Sequence, residues 1–95
     1  MGMPAVARIG DAEANHCSPP KRLQGVKSVF ANGKPLSCVG HLNTPHKMKG
    51  KKCPVHQAPL KGGSRTVFAE GRNVGRVGDR TCTMVIQGSP NVISA

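Results

Sequence analysis

The chain has 95 residues, a formal charge of +10, 12 Gly, 8 Pro, two Phe and no Trp or Tyr. A domain this short buries only roughly 60–65% of its unfolded surface, and aromatic residues supply much of the area in an ordinary core. A large apolar core is therefore excluded, and a single domain over 1–95 with no extension, held by a disulfide, a metal or a partner, is expected.

Gly and Pro together disfavour helix. No window of about 11–18 residues carries a 3.6-residue apolar period, so an all-β fold of short strands and hairpins is expected. The first element in chain order is Ala7-Arg8-Ile9-Gly10-Asp11, which matches Gly75-Arg76-Val77-Gly78-Asp79 further along and reads as the close of a repeated unit. A loop over roughly 12–25 follows and holds His16 and Cys17. Val29-Phe30-Ala31 is apolar and strand-prone. Asn32-Gly33 after it is a two-residue hairpin signal, because both residues tolerate positive φ. The returning strand is read as Leu36 to Val39, ending at Gly40-His41.

The loop over 41–61 holds His41, His46, Cys53 and His56 together with the basic run Lys47-Met48-Lys49-Gly50-Lys51-Lys52. A second hairpin is read from Val67-Phe68-Ala69, Glu70-Gly71 and Val74 to Val77, closing at Gly78-Asp79. The loop 79–87 with Cys82 precedes Gly88-Ser89-Pro90-Asn91-Val92-Ile93.

These elements repeat. Ser28-Val29-Phe30-Ala31-Asn32-Gly33-Lys34 and Thr66-Val67-Phe68-Ala69-Glu70-Gly71-Arg72 lie 38 positions apart, and each is followed at the same distance by a Val-Gly close. The segment 88–93 matches the opening of a unit, and 7–11 matches its end. The chain thus begins with the tail of a third unit and ends with its head. Self-similarity of this kind points to a fold assembled from equivalent pieces.

No stretch combines a basic start, an apolar run of about 7–15 and a small-residue cleavage site. No run approaches the ~20 apolar residues of a spanning helix. Synthesis in a reducing cytosol is expected, where mixed Cys and His favour a metal over disulfides. Catalysis is not expected. The only acidic residues are Asp11, Glu13, Glu70 and Asp79, and no nucleophile–base order or phosphate-cradling loop is present. Asp11 and Asp79 close repeat units, where a short carboxylate is expected to hydrogen-bond the turn that follows. The basic run reads as a solvated loop. The competing reading is a basic zinc module that binds nucleic acid, but no aromatics are interleaved for base stacking.

The closing motifs 7–11 and 75–79, the openings 66–68 and 88–93, and Cys53-Pro54-Val55-His56 together resemble PAAR-repeat proteins, from about Pro4 to Ala95. The resemblance implies a small conical all-β cap with a structural zinc near its point. Its broad base would sit on a trimeric β-helical spike of a contractile phage tail or type VI secretion machine, one cap per trimer, helping to pierce a membrane. Two positions depart from the family pattern. Gly40-His41 stands where Gly-Asp is usual, and Pro35-Leu36-Ser37-Cys38 stands where Pro-Ala-Ala-Arg is common.

The resemblance further implies three His and one Cys as ligands, carried over here as His16, His46, His56 and Cys82. His16 lies five residues after Asp11 and His46 five after His41, which is consistent with that set. Cys53 with His56 and either Cys17 or Cys38 is an alternative donor group, as is His41 in place of His46. Cys38 is read as a small buried hydrophobe, and Cys17 as a packing residue or a further donor. The donor types suit zinc and admit iron. The base face is assigned to Ser28–Ala31, Thr66–Ala69 and Asn91–Ile93 from their repeat positions.

Overall fold

A computed structural model describes residues 3–15, 17–47 and 54–95. Among them there is no helix, and the named strands form three short antiparallel hairpins. β1 (Phe30–Ala31) pairs with β2 (Lys34–Pro35), β3 (His46–Lys47) with β4 (Val55–His56), and β5 (Phe68–Ala69) with β6 (Arg72–Asn73). The turns of the first and third hairpins have φ of 56° and 77° at Asn32-Gly33 and 50° and 77° at Glu70-Gly71. Two successive positive φ values are the signature of a type I′ turn, whose twist matches that of the flanking strands. Glu70 thus adopts a backbone that its residue type disfavours.

The third unit is a hairpin of the same kind cut open at its tip. Ile93 pairs with Ala5 just as Phe30 pairs with Pro35 and Phe68 with Asn73. Val6 N–H donates to Val92 O, as Leu36 N–H does to Val29 O and Val74 N–H to Val67 O. The split unit read from the sequence is therefore joined in space by the two ends of the described chain.

The three units close on one another in a ring. Ala7 N–H donates to Gly75 O at 2.8 Å, Gly75 N–H to Ser37 O at 3.1 Å, and Ser37 N–H to Ala7 O at 2.9 Å. A second ring runs from Ile9 to Pro35, Val39 to Asn73 and Val77 to Ala5. The two rings run in opposite senses, so each unit both donates to and accepts from each neighbour, which is quasi-threefold symmetry within one chain. Here the structure departs from the expected hairpins. Beyond Pro35 and Asn73 the returning segments leave their own partner strand and bridge the neighbouring unit, as Arg8↔Leu36, Cys38↔Val74 and Val6↔Arg76. A two-strand hairpin would leave the outer backbone groups unpaired, and the ring satisfies them.

Close approach explains a glycine that recurs in the same place. A Cβ on Gly25, Gly63 or Gly88 would stand 2.6, 2.7 or 2.7 Å from the carbonyl oxygen of Leu36, Val74 or Val6 respectively. The core inside the ring is small: Val6, Val26, Ala31, Leu36, Cys38, Ala69 and Val74, with Ala7, Leu60 and Val85 as a second cluster. Around it, Val29 and Phe30, Val67 and Phe68, and Val92 and Ile93 are left exposed, with Phe30, Phe68 and Ile93 56–57% accessible.

Asp11 and Asp79 hydrogen-bond back across the turn that precedes them, not onto the turn that follows, because the amide three residues earlier is the donor within reach. Asp11 accepts from Arg8 N–H and its guanidinium, and Asp79 does the same for Arg76. In the unit between them both partners are exchanged. Cys38 stands where the arginines stand, and His41 Nδ1 accepts from Cys38 N–H at 2.9 Å. A neutral imidazole thus does the work of a carboxylate. Burial, then the nearby Arg72 and Arg22, push the His41 pKa down, which favours that neutral form.

Candidate metal centre

The segment 41–61, read from sequence as a loop, contains the β3–β4 hairpin. Its register sets His46 directly opposite His56, and such cross-strand neighbours project to the same face. Their ring centroids are 4.4 Å apart, with planes inclined at 63°. His46 Nδ1 lies 2.7 Å from Thr44 O. A carbonyl can only accept, so Nδ1 carries the proton and Nε2 presents its lone pair. That Nε2 lies 3.2 Å from Cys82 Sγ.

Cys82 sits in the bend between Arg80 and Met84, which bridge each other, while Thr81 N–H donates to Thr83 O. His46, His56 and Cys82 thereby offer ligand atoms all within 4.8 Å of one another, a group that could hold a metal ion. His46 is buried, and the other two are partly buried.

The remaining Cys and His are placed differently. His16 and Cys53 lie outside the described residues. His41, weighed as a substitute for His46, has Nδ1 engaged by the Cys38 backbone and lies outside the cluster. Cys17, weighed as a packing residue or donor, is disulfide-bonded. That overturns the donor reading, since an oxidised sulfur is no thiolate ligand. Cys38 is a free thiol, fully buried, and its burial pushes its pKa up. It is the small core hydrophobe that its strand position suggested.

A polar cluster that the sequence reading did not single out lies beside the site. Glu13 and Arg22 form an ion pair at 2.8 Å with both side chains fully buried. Asn43 and Thr81 also donate to Glu13. Burying charge is costly unless every group is partnered, and here Arg22 also reaches Ser37 Oγ and His41 O. The available signal was offset: 13, 43 and 81 each stand two residues beyond the end of a unit.

The chain matches no protein-family model and no curated protein.

Proposed function

We propose that the chain is a non-catalytic cap for the blunt end of a trimeric partner, a β-helical spike of the kind found in contractile phage tails and type VI secretion machines. The observation that carries this reading is the quasi-threefold ring with an exposed apolar pair on each unit: Val29 and Phe30, Val67 and Phe68, Val92 and Ile93. Three similar apolar patches on one chain suit three identical chains meeting at an axis. Large apolar side chains left exposed at the same place on every unit suit a contact surface. The motif resemblance to PAAR-repeat proteins supports the same partner.

The blunt end of such a spike presents strand edges and apolar side chains, both prone to unwanted association. A cap covers them and narrows the cross-section that meets a membrane. The +10 charge suits contact with anionic headgroups, each Lys or Arg contributing roughly 1 kcal/mol near such a surface.

The metal is zinc in this reading, and its role is structural. Zn–N distances of about 2.0–2.1 Å and Zn–S of about 2.3 Å in a tetrahedron place neighbouring donors roughly 3.3–3.6 Å apart. The His46 Nε2 to Cys82 Sγ distance of 3.2 Å is near that range. His16 is proposed as the fourth ligand. With so small a core, a structural zinc contributes on the order of 10 kcal/mol to folding, tying the segment 41–61 to the segment 79–87.

The test is native mass spectrometry of the chain mixed with a trimeric β-helical spike from the same source, with bound metal assayed in the same sample. One cap per three spike chains, carrying one zinc, is expected. Replacing Phe30, Phe68 and Ile93 with Asp should abolish the complex while the cap stays folded. A folded, metal-loaded monomer that ignores the spike and binds DNA in a salt-dependent way would reject the cap reading in favour of a nucleic-acid module.

A further inference from the structure

Positions 13, 43 and 81 occupy the same place in the three units, and their side chains converge. Glu13, Asn43 and Thr81 are 1%, 0% and 3% exposed. Glu13 Oε1 accepts from Asn43 Nδ2 at 3.0 Å and from Thr81 Oγ1 at 2.6 Å, while Oε2 accepts from Arg22 at 2.8 Å. We infer that Asn43 is a positioning residue for the Cys82 sulfur, aimed by Glu13. This rests on reading His46, His56 and Cys82 as metal ligands.

The orientation of the Asn43 amide is over-determined. Its Oδ1 accepts from Ala58 N–H at 2.8 Å. Turning the amide over would put Oδ1 against the Glu13 carboxylate and leave two buried N–H groups facing each other. Its backbone N–H donates to Ala58 O, and its carbonyl accepts from Gln57 Nε2. The NH2 group therefore faces Glu13 and the metal site. One proton goes to Glu13. The other points at Cys82 Sγ, 3.5 Å from Nδ2, within reach of an N–H···S bond. Glu13 also holds Thr81, the residue before Cys82, so one carboxylate fixes both the donor and the segment carrying the sulfur.

An N–H donor on a metal-bound sulfur aims its lone pairs and withdraws density from them. Outer partners of this kind commonly govern metal affinity by about 10–100-fold. The basic character of the chain could have supplied a lysine for this task. An amide supplies the same directional bond without adding a charge beside a cation.

The first measurement uses the wild-type chain loaded with the NMR-active cadmium isotope. A scalar coupling between an Asn43 side-chain amide proton and the metal, carried through the N–H···S contact, is expected. Cadmium bound without that coupling overturns the role of Asn43 and leaves the ligand reading standing. A wild-type chain that binds neither cadmium nor cobalt overturns both.

The second measurement uses the paired change Glu13→Gln and Asn43→Asp. It keeps one carboxylate in the cluster and an acceptor for Ala58 N–H, but removes the donor to sulfur. In the cobalt-loaded variant the sulfur-to-metal charge-transfer band should move to longer wavelength, with cobalt affinity lower by about 10–100-fold. A folded variant with an unmoved band and unchanged affinity overturns the inference. Should the variant fail to fold, the wild-type coupling decides alone.

Discussion

Asp11→Ala leaves the Arg8 guanidinium without its carboxylate in a nearly closed site, the two side chains being 7% and 0% exposed. Removing one member of a buried pair costs about 3–5 kcal/mol, because the remaining charge stays desolvated. The chain itself contains an alternative, Cys38 with His41, at the equivalent place. Grafting it as Arg8→Cys with Asp11→His removes both charges and keeps an acceptor for the backbone N–H at position 8. What is then lost are the Arg8 bonds to Asn32 Oδ1 and Gly88 O, each worth roughly 0.5–1.5 kcal/mol, for a total of about 1–3.

The double variant should thus be more stable than the single one by about 2 kcal/mol, or roughly 8–16 °C in Tm for a chain of this size. With no Trp or Tyr to report by fluorescence, calorimetry or far-ultraviolet circular dichroism is the assay. Asp79→Ala is an internal control. Its pair is 23% and 13% exposed, so water reaches the stranded Arg76 and the loss should be smaller. A double variant no more stable than Asp11→Ala would refute the claim that a stranded charge, rather than a missing cap, dominates the cost.

Because the folded pKa of His41 lies below the ordinary imidazole value near 6.5, protonation favours the unfolded chain. Its contribution is complete above that value and declines as pH falls from there toward the folded pKa. His41→Asp keeps the cap on Cys38 N–H and should remove this component from a plot of stability against pH. Glu70 accepts from Lys27 N–H, Ser28 N–H and Ser28 Oγ, whereas in the other units the N–H groups equivalent to those of Ser28 and Val29 donate to the hydroxyls of Ser64 and Ser89, so the position of Ser28 is the one shared. The first unit has Val26 at the place of Ser64 and Ser89, so Glu70→Ala should lower Tm less in a Val26→Ser background than in the wild type, as a thermal double-mutant cycle would register. Gly63→Ala would set a Cβ 2.7 Å from Val74 O and 2.9 Å from a Val39 methyl, and should cost about 1–3 kcal/mol or more by denaturant titration.

The repeats were legible because the turn and apolar positions recur at fixed offsets, so Asn32-Gly33 and Glu70-Gly71 revealed two hairpins, and 88–93 with 7–11 revealed the split third. Which strand the returning segments would pair with was not legible. Leu36–Val39 has the same composition whether it completes its own hairpin or bridges Val6–Arg8 and Val74. Only closure of the ring decides between them.

The β3–β4 pair was missed for a related reason. Lys47 and Val55 carry no alternating apolar pattern with their neighbours, and Pro45 and Pro54 read as loop. The ligand candidates came from resemblance and repeat position. Their mutual distances depended on that unseen hairpin register. Glu13 looked isolated in a list of acidic residues. Its significance appears only when Arg22, Asn43 and Thr81 converge on it.

The split third unit bears on how the chain folds. Asn32-Gly33 and Glu70-Gly71 bring neighbours together over a few residues, a step of microseconds. The bonds that make the ring join distant segments instead, and Ala5 with Ile93 unites nearly the two extremes of the sequence. Loop-closure entropy must be overcome before these contacts contribute any stability. Each short hairpin therefore gains little alone, and the stability of the fold rests on contacts of large sequence separation, Ala5 with Ile93 among them.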